Sequence, residues 1–82
     1  MNTDDLNVGD WLTVLKYVGP GVDNSFQGDL LQVLAVDLPF VVVEIDKYRF
    51  LTPKIGPTAL DTRRWKFQKC TEAYVQALRK TS

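Results

Sequence analysis

The chain has 82 residues, of which 45% are hydrophobic and 24% are charged, with ten basic and ten acidic side chains. This length accommodates one domain with a compact core, and the composition excludes wholesale disorder, which requires low hydrophobicity and high net charge. The sequence has no histidine and one cysteine, which excludes most catalytic triads, proton shuttles and histidine-based metal sites. We therefore expect no enzymatic activity, no cofactor and no bound metal.

The N-terminal residues 1–7 form a polar lead-in, which has neither the basic nor the apolar region of a secretory signal. The longest apolar-rich stretch, residues 30–45, is interrupted by polar residues and is too short to cross a membrane. Cys70 has no second cysteine with which to form an internal disulfide, so nothing requires an oxidising compartment. We expect a cytoplasmic protein without membrane contact, whose single domain covers residues 8–82.

Three β-strands are predicted in the N-terminal half by runs of aromatic and β-branched residues. They cover residues 11–18, 30–36 and 40–45. A cluster of glycine, proline, aspartate and asparagine within residues 19–25 predicts a long loop between the first two strands. A turn around Pro39 joins the second strand to the third.

A fourth strand is predicted to pair with the third in a hairpin centred on residues 46–47. In this register Val43 lies opposite Phe50 on the apolar face of the hairpin. Glu44 then lies opposite Arg49 on the other face, where the two charges attract. Because one register satisfies both the apolar and the charge pattern, it is the register that we expect.

The segment after this hairpin is predicted to be a loop followed by a last strand. Residues 53–58 contain two prolines and a glycine, which are unsuited to a central strand. Residues 60–70 are predicted to form a half-buried fifth strand, because Trp65 and Phe67 alternate with polar side chains. In so small a domain we expect these two aromatic side chains to lie in the core.

A short C-terminal helix is predicted over residues 71–80. Thr71 is placed to cap it, and the charges in its first and last turns complement the helix dipole. A helix of this length is marginal on its own, so it must dock on the sheet, and an open end of a barrel is the natural place. Its predicted apolar stripe consists of Tyr74, Ala77 and Leu78, with Val75 at the margin.

The order of a strand, a long loop, three consecutive strands, a short irregular link and a last strand resembles a small barrel of the Src-homology-3 kind over residues 8–70. The resemblance implies an all-β fold, a small five-stranded antiparallel SH3-like barrel with a short C-terminal α-helix. No signature motif accompanies it, since Asp23 is the only acid between Gly19 and Gly28 and the acidic, tyrosine-rich first loop of the signalling members is missing. The resemblance therefore concerns the fold, which carries many functions.

The two halves of the chain have opposite charges. Residues 1–46 carry eight acids and one base, a net charge of −7, and residues 47–82 carry nine bases and two acids, a net charge of +7. One interpretation is that acidic and basic strands alternate and neutralise each other, with Asp10 offsetting part of the charge of Arg63 or Arg64. The other is a segregated basic face that binds an anionic partner.

Within the basic half, residues 63–69 interleave cationic and aromatic residues, as surfaces that bind single-stranded nucleic acids do. If Trp65 and Phe67 lie in the core, the basic side chains lack a stacking partner, but they can still contact phosphates. The candidate contacts to nucleic acid or another anion are Arg63, Arg64, Lys66 and Lys69.

Three aromatic residues, Trp11, Tyr17 and Phe26, flank the long first loop. In the barrel that the layout resembles, this loop borders a groove in which extended peptides bind against aromatic side chains. The same residues could instead cap the ends of the barrel. Both interpretations stay open, and the three residues are the candidate peptide groove.

The sequence favours a non-enzymatic binding module, with protein–protein interaction as the first functional hypothesis. The first alternative is a nucleic-acid-binding small barrel that uses the basic strand 63–69. The second is a self-associating structural protein, a weak homo-oligomer, since opposite charge patches and zero net charge favour head-to-tail contacts.

Overall fold

The computed structural model describes residues 6–47 and 52–80. Every strand pairing is antiparallel, in one sheet of order β4-β3-β2-β1-β5. The prediction of five antiparallel strands with one short C-terminal helix is confirmed, but within the described ranges the sheet does not close, because β4 and β5 remain its two ends. In chain order the elements are β1 (Trp11–Tyr17), β2 (Leu30–Asp37), β3 (Phe40–Asp46), β4 (Ile55–Asp61), β5 (Trp65–Cys70) and α1 (Glu72–Lys80).

Strand β1 has two very different neighbours. It pairs with β2 only through Trp11 and Leu12, whereas its pairing with β5 continues to the contact of Tyr17 with Trp65. Beyond Leu12 the side of β1 away from β5 adjoins the long connection, residues 18–29, which leads back to β2. This connection is the predicted long loop.

The main buried cluster takes residues from all five strands, mostly at alternate positions, as the period of a half-buried strand requires. Trp65 and Phe67 both belong to it, so the prediction that they are core residues is confirmed. Tyr17 and Phe26 pack against it from the long connection and its edge. The buried cluster consists of Leu6, Leu12, Leu31, Val33, Val41, Val43, Ile45, Leu60, Trp65 and Phe67.

The predicted loop over residues 53–58 and the predicted hairpin register are both wrong, because most of this segment belongs to β4. Val43 pairs with Val33 of β2 on one side and with Thr58 of β4 on the other, so it cannot also pair with Phe50. Phe50 and Arg49 themselves lie outside the described residues. Pro57 is tolerated because β4 is an edge strand. A residue of an edge strand whose nitrogen faces outward needs no N–H for the ladder.

The glycine beside that proline, Gly56, is required by its backbone conformation and by the space around it. Its φ of 144° is one that side chains rarely adopt, and a Cβ at this position would lie 2.9 Å from the carbonyl oxygen of Val43. A glycine here allows the backbone of β4 to approach β3 closely. The turn residues that indicated a loop are therefore features of an edge strand.

The predicted single strand over residues 60–70 is divided by a turn at residues 62–64 between β4 and β5. Asp61 organises this turn, since its carbonyl oxygen accepts the N–H of Arg64 at 3.0 Å and its carboxylate accepts the N–H of Arg63 at 2.9 Å. Hydrogen bonding of an aspartate side chain to the backbone two residues on is a common turn device.

Helix α1 is capped as predicted, but a different face is buried. The hydroxyl of Thr71 accepts the N–H of Tyr74 at 3.1 Å. Val75 is completely buried, whereas Tyr74 is 50% exposed, so the predicted apolar stripe is wrong. The buried face is set by Val75 and Arg79, which lie one turn apart, and Arg79 contacts Asp46 at 2.6 Å. Within the described ranges no helix has the length and apolar character needed to cross a membrane.

Candidate functional site

Two of the four predicted anion-contacting residues are neutralised by nearby acids. The guanidinium of Arg63 contacts both carboxylate oxygens of Asp61, with Nη2 at 2.9 Å from Oδ2 and Nε at 3.0 Å from Oδ1. These hydrogen bonds lower the pKa of Asp61, and the same carboxylate raises the pKa of Arg63. Lys69 lies 3.1 Å from Asp10, so Asp10 pairs with Lys69 rather than with Arg63 or Arg64.

Ion pairs also join the acidic and the basic halves of the chain, as the neutralising interpretation predicts. In each of four pairs the acid comes from residues 1–46 and the base from residues 47–82. Cross-strand and strand-to-helix pairing of this kind removes most of the apparent charge segregation. The four pairs are Lys47–Asp29 at 2.7 Å, Lys54–Glu44 at 3.6 Å, Lys69–Asp10 at 3.1 Å and Arg79–Asp46 at 2.6 Å.

Four cations have no carboxylate within 4.0 Å among the described residues: Lys16, Arg64, Lys66 and Lys80. Lys80 ends α1, whereas the other three belong to β1, to β5 and to the turn before β5. Lys16 and Lys66 are direct cross-strand partners in β1 and β5. Arg64 precedes β5 by one residue, and its Nη1 would lie 2.9 Å from a Cβ placed on Gly19. We call these three residues the Lys16 cluster; like charges placed directly across a ladder destabilise it.

Lys16 is the member of this cluster that sequence reasoning missed. It is the single base of the acidic half, so composition places it among the acids. Only the register of β1 against β5 puts it opposite Lys66. The signal that could have found it is the pairing of the first and last strands, which the barrel layout implied.

The three residues of the candidate peptide groove are not brought together. Tyr17 and Phe26 both pack against Trp65, with ring centroids 4.7 and 5.1 Å away. Trp11 instead lies beneath the guanidinium of Arg79, 5.1 Å from its ring centroid. The cause is a bulge between Val14 and residue 16, which changes the alternation of side chains along β1.

An open cleft runs along β1 where the long connection passes it. Its volume is about 280 Å³, and its two walls are residues 14–17 of β1 and residues 21–24 of the connection, together with Gln27. Leu15 is 58% exposed and Val22 is 86% exposed, and both line the cleft. We call this the β1 cleft; it exposes apolar side chains beside the amine of Lys16.

The cleft also contains one acid, whose charge is engaged locally. The carboxylate of Asp23 accepts the backbone N–H of Ser25 at 3.0 Å. Hydrogen bonding from Ser25 lowers the pKa of Asp23, because it stabilises the charged form. Asp23 therefore shapes the wall of the cleft and carries a fixed negative charge at neutral pH.

The side chains near Cys70 offer binding space but no catalytic arrangement. A second cleft of about 270 Å³ lies between the start of α1 and the β1–β5 ladder. The thiol of Cys70 is 3.9 Å from the hydroxyl of Thr13, and the chain has no histidine to activate it. Among the described residues, no three histidine, cysteine, aspartate or glutamate side chains converge as metal ligands.

Comparison with known proteins identifies no relative. No family model, no curated protein and no solved structure matches this chain.

Proposed function

We propose that this protein is a non-enzymatic binding module that contacts a protein partner through the β1 cleft. The observation that carries the proposal is the exposure of Leu15 and Val22 on the two walls of one open cleft. Apolar side chains clustered at a concave surface and rimmed by polar groups are typical of protein-interaction sites. The polar rim here is formed by Lys16 and Asp23.

We also propose that the sheet is a variant of an SH3-like barrel. The pairing of β1 with both β2 and β5, the long first connection and the consecutive antiparallel strands β2, β3 and β4 support this assignment. In such a scaffold the connection at residues 18–29 is the element free to vary, and binding residues are commonly found on connections of this kind. The β1 cleft lies between this connection and the rigid ladder.

The proposal is tested by selecting random peptides on the immobilised wild-type protein and measuring their binding to variants. Leu15→Glu together with Val22→Glu removes the apolar lining of the cleft. Both side chains are exposed, so the fold should survive the change. We expect the enriched peptides to lose at least tenfold in affinity for this double variant, about 1.4 kcal/mol.

The matched control is Leu38→Glu, which changes an apolar residue with 47% exposure in the turn between β2 and β3. The selected peptides should bind this variant as they bind the wild type. A selection that yields no peptide, or peptides that bind the double variant undiminished, would refute the proposed function.

Nucleic-acid binding is the second candidate, and the observation in its favour is the Lys16 cluster. Three cations without a carboxylate nearby can contact phosphates. Trp65 and Phe67, the aromatic residues that would stack on bases, are buried, so such binding would rest on phosphate contacts alone.

A labelled single-stranded oligonucleotide tests this second candidate. Three phosphate contacts predict a slope of about −2 for the logarithm of affinity against the logarithm of salt concentration. Replacing Lys16, Arg64 and Lys66 by alanine should abolish that slope, whereas Arg63→Ala should leave it unchanged because Arg63 is paired with Asp61. No binding at low salt would remove this candidate.

A further inference from the structure

Strand β5 is an edge strand that retains an open side. It pairs with β1 along its whole length, and among the described residues no backbone hydrogen bond joins its other side to another element. An edge strand presents a row of N–H and C=O groups that another strand can pair with. Unlike β4, the other edge strand, β5 contains no proline to obstruct such pairing.

Positive side chains cluster beside this open edge. Lys66 lies in β5, Lys16 is its direct partner in β1, and Arg64 adjoins the start of β5. No described carboxylate lies within 4.0 Å of these three side chains. The repulsion between Lys16 and Lys66 would be relieved by a negative charge placed on the next strand.

We propose that the outer edge of β5 is a second interaction surface, which binds an extended acidic segment of a partner protein as an added antiparallel or parallel strand. Main-chain hydrogen bonds to β5 provide the affinity, and acidic side chains at alternate positions meet the Lys16 cluster and provide the selectivity. This surface shares Lys16 with the rim of the β1 cleft, but its main-chain contacts lie on β5, which contributes no residue to the lining of the cleft.

A second copy of this chain does not fit the same edge. Pairing β5 with β5 would bring lysine side chains of two copies together, which is unfavourable. The remaining edge strand, β4, contains Pro57, and its single acid, Asp61, is already paired with Arg63. Neither edge strand of a second copy, as far as its residues are described, offers an acidic strand for this edge, so we assign the acidic strand to another protein.

The free edge also favours a peptide over a nucleic acid as the ligand of the Lys16 cluster. A nucleic acid would use the three cations but not the backbone N–H and C=O groups of β5. An added strand uses both. The two ligands are therefore distinguished by what happens to the β5 amides on binding.

The probe is a short synthetic peptide of alternating valine and glutamate, with a valine and lysine peptide as its counterpart. We expect the glutamate peptide to bind and to slow hydrogen exchange at those amides of Trp65–Cys70 that β1 does not use. N-methylation of the peptide at alternate positions should abolish binding in one frame, in which the N–H groups face β5, and leave it intact in the other.

Lys66→Glu is the matched change on the protein, since a glutamate opposite Lys16 should not cost stability. It should lower the affinity for the glutamate peptide by about tenfold and raise the affinity for the lysine peptide. Lys80→Glu reverses the charge of an exposed residue in α1 and is the control; it should change the affinity for neither peptide.

Three results would overturn the proposal: equal binding of both peptides, N-methylation tolerated equally in both frames, or an oligonucleotide that binds the cluster while the glutamate peptide does not. Because the β1 cleft variants are not used in these measurements, such a failure leaves the proposed function at that cleft standing. Conversely, loss of peptide selection at the cleft would not affect the exchange of the β5 amides.

Discussion

Asp61 shows how one side chain can define a turn and hold a cation. Its carboxylate accepts the N–H of Arg63 and also contacts the guanidinium of the same residue, at 2.9 Å in both cases. The resulting decrease in the pKa of Asp61 means that the folded state favours its charged form. Because a group of this kind stabilises the fold only while it is ionised, its contribution must depend on pH.

Asp61→Asn should therefore lower the denaturation midpoint at pH 7, and the difference from wild type should shrink as the pH falls. The stabilisation is fully present above the ordinary carboxyl pKa of 3.8 and is lost as the pH falls through the lower folded value. Urea titrations of both proteins from pH 7 down to about pH 2.5 measure this. Arg63→Gln should reproduce part of the loss, and the double variant should lose less than the sum. A constant difference at all pH values would contradict the assignment.

Val43 tests the face assignment of β3. It is completely buried between Val33 and Thr58, whereas its neighbour Val42 is half-buried on the opposite face. Val43→Asp should cost several kcal/mol, most of the stability of a small domain, because a buried carboxylate would have no partner. Val42→Asp should have a mild effect. Equal shifts in the denaturant midpoints would show that the face assignment is wrong.

At the level of elements, the strands rich in aromatic and β-branched residues could be predicted from the sequence, and β4 could not. The first three predicted strands agree with β1, β2 and β3 to within one residue at each end, because runs of these residues are a local signal. Strand β4 escaped prediction because Gly56 and Pro57 usually indicate a loop, and only its place at the edge of the sheet allows them.

The helix illustrates the same limit. Its cap at Thr71 is a local feature and was predicted correctly. Its buried face depends on a tertiary contact, in which Arg79 meets Asp46 and lies over Trp11. The periodicity of apolar residues alone does not show that Arg79 will contact the sheet, and therefore that Val75 will be buried there.

Val75→Ala should cost about 2 kcal/mol, because it removes two methyl groups from a completely buried site. It should also speed hydrogen exchange within Glu72–Lys80 before the strands are affected. Tyr74→Ala, at a residue with 50% exposure, is the control and should change the midpoint by less than about 1 kcal/mol. Faster exchange throughout the sheet in Val75→Ala would contradict local docking of the helix.

At the level of the whole molecule, most of the described acids are paired with bases within the fold. Four ion pairs join the acidic half to the basic half, so the opposite charges that suggested head-to-tail contacts are mostly used internally. Of the four basic residues predicted from sequence, Arg64 and Lys66 remain without a described carboxylate, and Lys16 joins them through the fold. Two of the four predicted residues therefore stay in the candidate site. The sequence shows which side chains are charged, but it does not show which of them form ion pairs.

Self-association is a hypothesis from the sequence that sedimentation can test directly. With its charges paired internally, the protein should sediment as a monomer at micromolar concentration and at both low and physiological salt. A dimer that dissociates as salt is raised would support head-to-tail association through charge patches. A dimer insensitive to salt but lost in the Leu15→Glu and Val22→Glu double variant would instead identify the β1 cleft as a self-contact.

Binding of a protein partner at the β1 cleft is tested most directly by nuclear magnetic resonance. Amide shifts of the wild-type protein are recorded while a peptide selected on that protein is added. We expect the largest shifts in residues 14–17, in residues 21–24 and in Gln27, which line the cleft. Shifts concentrated instead around Trp11 and α1, or at the turn that contains Leu38, with the cleft unchanged, would contradict it.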